Sequence, residues 1–335
     1  MKYRTLGRTG LSIPEIGFGC GNVGGMMVRG SHQEQVDSVN RALELGINYF
    51  DTAPAYGQGQ SETHLGEVLR EIKPDITVAT KVGLTAHDMK DIKGAVLSSM
   101  ETSLGRLGLD SVDILQLHTP VTMGPGESGG RFGLTFNDVL GENGVADAFR
   151  SVQEQGMVRF LGFTGLGETE ALHKLVESDR FDLVQTYYNL LNPSAGRAVP
   201  SDFAGQDFRQ LIDLAAGRNM GTVVIRVMAG GALGGTTARG GYASPSVGGA
   251  LSSGSEYSRD EFRAAKLGFL TAGDLDSLPQ AAVRFALMHQ SVSTVLVGYS
   301  DIAQIEEAAA ASDKNPIPDS DIGRLAELWA ADFGI

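Results

Sequence analysis

The chain contains 335 residues, of which 42% are hydrophobic and 20% charged, which allows a large buried core. Its formal net charge of −13 at pH 7 argues against general nucleic-acid binding, which requires a basic surface to meet phosphates. No apolar run reaches the roughly 18 residues of a membrane-spanning helix, so none is predicted.

The cysteine content and the N-terminal pattern bear on location. A single cysteine, Cys20, excludes an internal disulfide, and no Cys/His spacing is typical of a zinc site. The first residues lead directly into a polar, glycine-rich segment without the apolar stretch of a signal peptide. We therefore expect a cytoplasmic protein with no membrane or nucleic-acid partner and no bound metal. The oligomeric state stays open.

Short β-branched runs alternate with longer helical patterns, which is typical of βα units and a parallel sheet. Residues 3–13 come first and predict a β-hairpin that turns at Arg8-Thr9-Gly10. Eight further strands are then predicted, at Ile16–Gly19, Ile47–Phe50, Ile76–Thr80, Val112–Leu117, Val158–Phe163, Leu183–Tyr187, Thr222–Val227 and Thr294–Val297.

A helical segment is predicted after each of these eight strands. The first has a capping box, because the Ser31 side chain can accept from the Glu34 amide while Glu34 reaches back, and Gly46 ends it. Further helices are predicted at Asp88–Leu107, Val145–Gln155, Glu168–Glu177, Phe208–Ala216, Pro279–His289, Ile302–Ala311 and Ser320–Ala331.

The order of these elements favours one closed (β/α)8 TIM barrel over residues 1–335, with the hairpin at its bottom, rather than an open doubly wound sheet. Two long glycine-rich loops, Thr119–Glu142 and Met228–Gly273, follow the fourth and seventh strands. Loops that follow barrel strands lie on the catalytic face, and loops this long usually work as lids or binding loops. We expect both to border the active site.

Four polar residues lie at the ends of three consecutive predicted strands. Asp51 and Tyr56 follow the second strand, Lys81 ends the third, and His118 ends the fourth. A lysine ammonium lowers the pKa of a neighbouring tyrosine, an aspartate can hold that lysine charged, and a histidine can direct a carbonyl oxygen. The spacing is equally compatible with an Asp–Lys ion pair beside an unrelated Tyr and His.

Three motifs in this region resemble those of the aldo-keto reductase family: residues 51–57 (DTAPAYG), 80–81 (TK) and 116–118 (QLH). The resemblance covers nearly the whole chain, and residues 162–165 (GFTG) are similar to L-galactose dehydrogenase-like members. It implies a barrel that transfers hydride between NAD(P)(H) and an aldehyde, a ketone or the corresponding alcohol. The implied catalytic residues are Asp51, Tyr56, Lys81 and His118, with Tyr56 as general acid and base.

The resemblance also implies a nicotinamide cofactor, NADP or NAD, that extends across the top of the barrel. Gln185 aligns with the residue that holds the carboxamide, and residues 298–307 align with the adenosine-phosphate segment. Arg226 either contacts a cofactor phosphate or faces solvent. The implied cofactor contacts are Gly21, Asn22, Thr164, Gln185, Arg226, Gly298, Ser300, Gln304 and Glu307.

The sequence departs from the family pattern in three respects. Gly165 supplies no side-chain amide where the family has an Asn, and the segment around Ile225 lacks the aromatic residue that often stacks on the nicotinamide. Gly298 and Gln304 replace the Lys and Arg that commonly grip the 2′-phosphate of NADP, and acidic residues such as Glu307 lie nearby. These departures tilt the prediction toward NAD.

A further glycine pattern at residues 19–24 (GCGNVG) matches G-x-G-x-x-G, the phosphate-binding loop of Rossmann folds. That loop should open directly into a helix, whereas the next predicted helix begins only after Ser31. We therefore interpret the segment as the first strand-to-helix loop of a barrel.

The substrate prediction is a small carbonyl or alcohol compound, with a sugar-like alcohol and an NAD-linked aldose dehydrogenase favoured. Candidate residues of the substrate pocket are Met26, Met27, Met123, Phe132 and Trp329, but the helical spacing of Trp329 with Leu325 and Ala326 favours packing for that residue. Two alternatives stay open: a non-catalytic nicotinamide-binding redox sensor, and a barrel lyase that uses Lys81 as a Schiff base.

Overall fold

The computed structural model describes residues 1–236, 238–244 and 257–335. The strands are β1 (Tyr3–Thr5), β2 (Ser12–Pro14), β3 (Ile16–Gly19), β4 (Tyr49–Asp51), β5 (Thr77–Val82), β6 (Val112–Leu117), β7 (Val121–Thr122), β8 (Gly126–Ser128), β9 (Arg131–Thr135), β10 (Val158–Thr164), β11 (Leu183–Tyr187), β12 (Gly221–Ile225) and β13 (Thr294–Gly298).

The helices lie mainly in the connections between strands, and none of those described has the length and apolar character needed to cross a bilayer. They are α1 (Met26–Arg29), α2 (His32–Glu44), α3 (Gln60–Ile72), α4 (Ile92–Leu107), α5 (Phe136–Leu140), α6 (Val145–Glu154), α7 (Thr169–Glu177), α8 (Leu211–Gly217), α9 (Tyr257–Ala264), α10 (Leu278–Leu287), α11 (Ile302–Ala310) and α12 (Asp319–Ala330). Short 3-10 turns include Gly7–Thr9, Tyr56–Gly59, Asp88–Lys90, Ala229–Gly231, Ala265–Thr271, Ala311–Asp313 and Asp332–Gly334.

The eight predicted barrel strands close on themselves in the order β3-β4-β5-β6-β10-β11-β12-β13, with β13 pairing back onto β3. Each neighbouring pair is parallel. The prediction of a (β/α)8 barrel is therefore confirmed. All eight strands end at the same rim, which brings the side chains that follow them together.

The N-terminal hairpin closes the opposite end of the barrel. Strands β1 and β2 pair antiparallel, and Leu6 and Ile13 from this hairpin are fully buried. Both belong to one apolar cluster with the barrel-interior residues Tyr49, Ile114 and Val223. The hairpin thus fills the bottom of the barrel and leaves only the C-terminal rim open.

The long connections after β6 and β12 are present as predicted, and parts of them have secondary structure that the sequence pattern did not indicate. Residues 121–135 form a small sheet of β7, β9 and β8, and Thr135 then caps α5 with a capping box. Tyr257–Ala264 is helical within the second connection, while residues 237 and 245–256 of that predicted loop lie outside the described residues.

Two predicted helix starts were wrong, and a short helix was missed. Helix α4 begins at Ile92 rather than Asp88, because the Asp91 side chain caps it by accepting from the Gly94 amide. Helix α8 begins at Leu211 rather than Phe208, which is fully buried before the helix. The four-residue helix α1 lies in the glycine-rich segment before Ser31.

Arg4 fixes the hairpin to the barrel and generates a stability prediction. Its guanidinium donates to Glu15 Oε1 at 2.7 Å and to the carbonyls of Val292 and Leu287 at 2.8 and 2.9 Å. We expect Arg4→Ala to lower the free energy of unfolding by about 3 kcal/mol, because the nearly buried Glu15 carboxylate loses its counter-ion. Urea denaturation measures this change.

Arg41→Ala is the matched control, because Arg41 has two carboxylate partners but all three side chains are at least 37% exposed. Exposed ion pairs contribute about 0–1 kcal/mol, so this variant is expected to unfold close to wild type. Equal losses in the two variants would contradict the role given to Arg4.

Candidate active site

The four residues predicted to be catalytic meet at the C-terminal rim of the barrel. Asp51 ends β4, Lys81 lies near the end of β5, and His118 directly follows β6. The Lys81 ammonium donates to Asp51 Oδ1 and to the Thr52 carbonyl, the latter at 2.8 Å. It also lies 5.0 Å from the centre of the Tyr56 ring, and that ring meets the His118 ring edge to face at 5.7 Å. The structure thus brings together the residues that the sequence placed on three separate strands.

Two glutamines complete the surroundings of Asp51. Gln116 and Gln185 each donate through Nε2 to Asp51 Oδ2, at 3.0 and 2.7 Å, so both carboxylate oxygens have partners. Sequence reasoning gave Gln116 no role, although a polar residue in the apolar strand β6, two positions before His118, was a usable signal. Both amides hold the Asp51 carboxylate in one orientation.

The Asp51–Lys81 pair is almost completely buried, with side-chain exposures of 5% and 1%. Burial alone would lower the pKa of the Lys81 ammonium, but the charge of Asp51 and the contact with Tyr56 outweigh it, so this pKa is raised. Lys81 is therefore a fixed cation beneath Tyr56.

The pKa of Tyr56 differs from the expectation. Lys81 and Arg226 both lower it, as anticipated for neighbouring cations, but burial of the phenol is the larger effect and the pKa is raised. The predicted lowering of this pKa by Lys81 is present, but the sequence spacing did not reveal the desolvation of the phenol, which reverses the net direction. Tyr56 retains its proton at neutral pH.

His118 is electrically neutral at neutral pH. Burial is the largest cause, and the nearby charges of Lys81, Arg131 and Arg226 add to it, so the pKa of the imidazole lies well below its ordinary value. A neutral imidazole can donate one hydrogen bond from a ring nitrogen without adding a charge to the site.

A cavity of about 1380 Å³ opens above these residues. Its size exceeds the roughly 300–1,000 Å³ of typical small-molecule sites, so it has room for an extended dinucleotide together with a small substrate. Asp51, Tyr56 and His118 line it, and Lys81 lies beneath them. All nine residues that the sequence predicted as cofactor contacts also line it: Gly21, Asn22, Thr164, Gln185, Arg226, Gly298, Ser300, Gln304 and Glu307.

The residues suggested for the substrate pocket lie elsewhere. Met26 and Met27 are buried in the core, and Trp329 is buried with its indole donating to the Leu190 carbonyl at 2.8 Å. Met123 and Phe132 pack against the core and are absent from the described wall of the cavity. The helical spacing of Trp329 predicted packing and is confirmed, whereas position alone did not distinguish the other four residues from pocket residues.

The structure gives a reason for the glycine at position 165 and shows where Arg226, next to the departure at Ile225, is located. A side chain at Gly165 would place its Cβ 2.8 Å from the Gln185 carbonyl, so the close approach of β10 and β11 requires glycine there. Arg226 has a positive φ of 59°, a conformation that costs a non-glycine residue about 1 kcal/mol. This backbone leaves its guanidinium on the cavity wall, 5.6 Å from the Tyr187 ring, rather than in solvent.

The far end of the cavity lies at the start of α11. The Gln304 side chain bonds to the amide and hydroxyl of Ser300, and Asp301 caps the helix by accepting from the Gln304 amide at 2.9 Å. Glu307 lies one turn further along the same face and lines the cavity. The helix N-terminus suits an anion, whereas Glu307 places a carboxylate close to it.

Residues 238–244 form one side of the cavity and join the connection after β12 to the first barrel loop. The Ser244 amide donates to the Val23 carbonyl at 2.9 Å, Arg29 donates to the Tyr242 carbonyl at 2.8 Å, and the Tyr242 hydroxyl donates to Glu34 at 2.6 Å. The predicted position of this long loop at the active site agrees with these contacts.

This closed barrel, with its polar groups on the C-terminal rim, has the architecture of an oxidoreductase family. The sequence profile of the aldo/keto reductase family matches residues 15–330, and the chain belongs to that family.

Two named relatives align with this chain over about nine tenths of both sequences. L-galactose dehydrogenase of Arabidopsis thaliana is 28% identical over 323 residues, covering 93% of this chain and 88% of that protein. D-threo-aldose 1-dehydrogenase of a Pseudomonas species is 28% identical over 333 residues, covering 90% and 89%. Among solved structures, the holo form of an aldo-keto reductase from Bacillus halodurans has a TM-score of 0.69 at 24% identity and covers 98% of this chain and 96% of that one.

The Asp51→Asn variant tests the buried Asp51–Lys81 pair by its effect on the free energy of unfolding. In Asp51→Asn, Lys81 stays buried without its counter-ion, so we expect about 3 kcal/mol of lost stability at pH 7. Burial then lowers the folded-state pKa of Lys81 below its unfolded value of about 10.4, and the unfolded chain binds more protons. Stability of this variant therefore rises with pH, and the deficit relative to wild type shrinks between about pH 7 and about pH 9.5.

In the wild type the folded-state pKa of Lys81 is raised. The contribution of Lys81 to the free energy of unfolding is therefore fully present below about pH 10 and is lost only above that range. Urea denaturation at the two pH values measures both proteins. Asp147→Asn is the control, because Asp147 pairs with Arg180 on the surface and its loss leaves no buried cation. If Asp51→Asn is less stable than wild type by the same amount at both pH values, Lys81 is not a buried cation that depends on Asp51.

Proposed function

We propose that this chain transfers hydride between a nicotinamide cofactor and the carbonyl carbon of an aldehyde or ketone, or in reverse from the corresponding alcohol. The observation that carries the proposal is the buried Asp51–Lys81 pair beneath Tyr56, with neutral His118 beside it, on the wall of the large cavity. These groups can move one proton at a defined point without bulk water.

The described residues fit a dinucleotide. Thr164 and Gln185 lie together at the rim, with 3.5 Å between Thr164 Oγ1 and Gln185 Oε1, and present polar groups for a carboxamide. Arg226, which forms no ion pair with any described residue, supplies a cation for a phosphate, and the N-terminus of α11 lines the same cavity and suits an anion. When bound, the nicotinamide ring supplies or accepts the hydride.

Tyr56 is the proton donor in the reductive direction. Its raised pKa keeps the phenol protonated until negative charge develops on the substrate oxygen. Lys81 then stabilises the phenolate that remains, and Asp51 with its two glutamine partners keeps Lys81 in place. The neutral His118 donates a hydrogen bond to the same oxygen and fixes its direction.

The charge on Lys81 disfavours the lyase alternative. A Schiff base forms from an unprotonated amine, whereas Asp51 raises the pKa of Lys81 and occupies its hydrogen-bonding capacity. A redox sensor would bind the nicotinamide cofactor in the same cavity. It would differ from the proposed enzyme only in that it converts no substrate.

A sugar or sugar-like alcohol is the substrate class that the relatives support. Two of them are named as dehydrogenases of sugars, L-galactose dehydrogenase and D-threo-aldose 1-dehydrogenase. The many polar groups on the cavity wall suit a ligand rich in hydroxyl groups. We therefore place an aldose dehydrogenase activity first among the reactions to be assayed.

The Tyr56→Phe variant tests the proton donor. We expect kcat/KM to fall by about 10³-fold over a panel of aldehydes and aldoses, because general acid–base catalysis typically contributes 10²–10⁴-fold. Cofactor affinity, measured by fluorescence titration, is expected to stay within a few-fold of wild type.

Tyr3→Phe is the matched control, since its phenol donates to the Gly46 carbonyl at the outer surface and full turnover is expected. Retention of more than about a tenth of wild-type turnover in Tyr56→Phe would refute the role given to Tyr56. Tight cofactor binding without turnover in the wild type would favour the redox sensor.

Glu307 is the residue that we expect to favour NAD over NADP. Its carboxylate can accept hydrogen bonds from a free ribose diol and repels a 2′-phosphate. Removing the charge in Glu307→Gln is expected to raise the ratio of kcat/KM for NADP to that for NAD by about tenfold, since a unit charge at 4 Å is worth about 1 kcal/mol or more.

Glu306→Gln is the control for this change. Glu306 is adjacent in sequence but lies on the surface, where it pairs with Arg41 at 2.7 Å, so the cofactor ratio is expected to stay as in wild type. The assignment fails if both variants give the same ratio.

A further inference from the structure

The wall of the cavity differs in charge from the protein as a whole. The chain carries a net charge of −13, but the described residues that line the cavity include three arginines and two carboxylates. Asp51 is already neutralised by Lys81, and Glu307 lies at the far end, on α11. When the Asp51–Lys81 pair is set aside, the described wall of the cavity carries three arginines and one carboxylate.

Two of the three arginines already have a role: Arg226 in the proposed cofactor site and Arg239 in holding a loop in place. Arg226 faces the cofactor region at the end of β12. Arg239 belongs to residues 238–244, and its guanidinium donates to the Ser244 carbonyl, to the Tyr257 hydroxyl at 3.1 Å and to the Gly230 carbonyl at 3.3 Å. These contacts fix Arg239 in the loop.

Arg131 has a different origin and neighbourhood. It comes from the connection after β6, the strand that His118 follows, whereas the adenosine end of the cavity is built by β13 and α11. Its charge helps to lower the pKa of His118, as the charge of Arg226 also does. Among the described residues, none forms an ion pair or a hydrogen bond with the Arg131 guanidinium. Arg131 is thus an exposed cation without a described partner, on the part of the cavity wall that the connection after β6 provides.

The backbone around Arg131 is well fixed. Gly129 and Gly130 both have positive φ, 60° and 71°, as a tight two-residue hairpin turn requires, and Ser128 pairs with Arg131 across that turn. Strand β9 also pairs with β7, where Leu134 opposite Val121 is fully buried. The small sheet therefore anchors in the core, and its tip, with Ser128, Gly129 and Arg131, lines the cavity.

We infer that Arg131 binds an oxyanion on the substrate, so that the substrate is a carbonyl or hydroxy compound that carries a carboxylate or a phosphate group. The planar guanidinium matches either oxyanion through two parallel N–H donors. The inference rests on the proposed function and deepens it, since it names the class of substrate that the Tyr56 site takes.

Matched substrate pairs test the inference. Succinic semialdehyde against butanal isolates the carboxylate, and glyceraldehyde 3-phosphate against glyceraldehyde isolates the phosphate. We expect wild type to prefer the charged member of at least one pair, which also identifies the oxyanion. In Arg131→Met the preference, expressed as a ratio of kcat/KM values, should fall by about 10- to 100-fold, mainly through KM, because a hydrogen bond to a charged group is lost.

Arg131→Lys should restore part of the preference by keeping the charge. Arg150→Met is the matched control, since Arg150 is an exposed arginine on α6 that contacts only Gln153 at 2.9 Å, and its charge preference should equal that of wild type. An unchanged preference in Arg131→Met overturns the inference. Weaker cofactor binding in Arg131→Met, measured by fluorescence titration, also overturns it, because Arg131 would then be a cofactor residue.

A binding measurement separates this inference from the proposed function. If wild type turns over no member of either pair, calorimetric titration of succinate and of inorganic phosphate, with cofactor present, compares wild type with Arg131→Met. Binding that weakens by 10-fold or more in the variant supports the oxyanion site even though the proposed function has failed. Equal affinities in the two proteins overturn the site.

Discussion

The buried ion pair between Lys81 and Asp51 is the interaction on which the rest of the site depends. Taking both charges out of water costs several kcal/mol per ion, so the pair is stable only where its remaining polar atoms have partners. Gln116, Gln185 and the Thr52 carbonyl provide these partners. The requirement fixes the ends of four barrel strands, β4, β5, β6 and β11, relative to one another. That arrangement also places Lys81 beneath the Tyr56 ring.

The sequence predicted the strands and the convergence of the four polar residues because both follow from local patterns: a β-branched run marks a strand, and parallel strands of a barrel end at one rim. It did not predict the net effect on Tyr56, which depends on how deeply the ring is buried. It also missed Gln116 as a partner of Asp51, since that contact joins residues 65 positions apart. The small sheet of β7 to β9 was read as a glycine-rich loop because its turn and strands are short.

At the positions of the predicted cofactor contacts, the family resemblance identified unusual residues, and the structure explains them. Resemblance alone marked Gly165 as a lost amide, whereas the geometry explains it, because β10 and β11 approach too closely for any side chain there. Resemblance also left Arg226 between a phosphate contact and a solvent position. Its positive φ and its place over Tyr187 assign it to the cavity wall.

Charge is distributed unevenly between the two tasks of the cavity. Around Tyr56 the charges of Asp51 and Lys81 compensate each other, and His118 is neutral. Recognition is left to Arg131 and Arg226, which lack carboxylate partners among the described residues. In a protein with a net charge of −13, such cations are the local means of attracting an anionic ligand against the overall field. Arg131 begins β9 and Arg226 follows β12, so the two cations reach the cavity wall from different connections, as the proposed binding of one cofactor anion and one substrate anion requires.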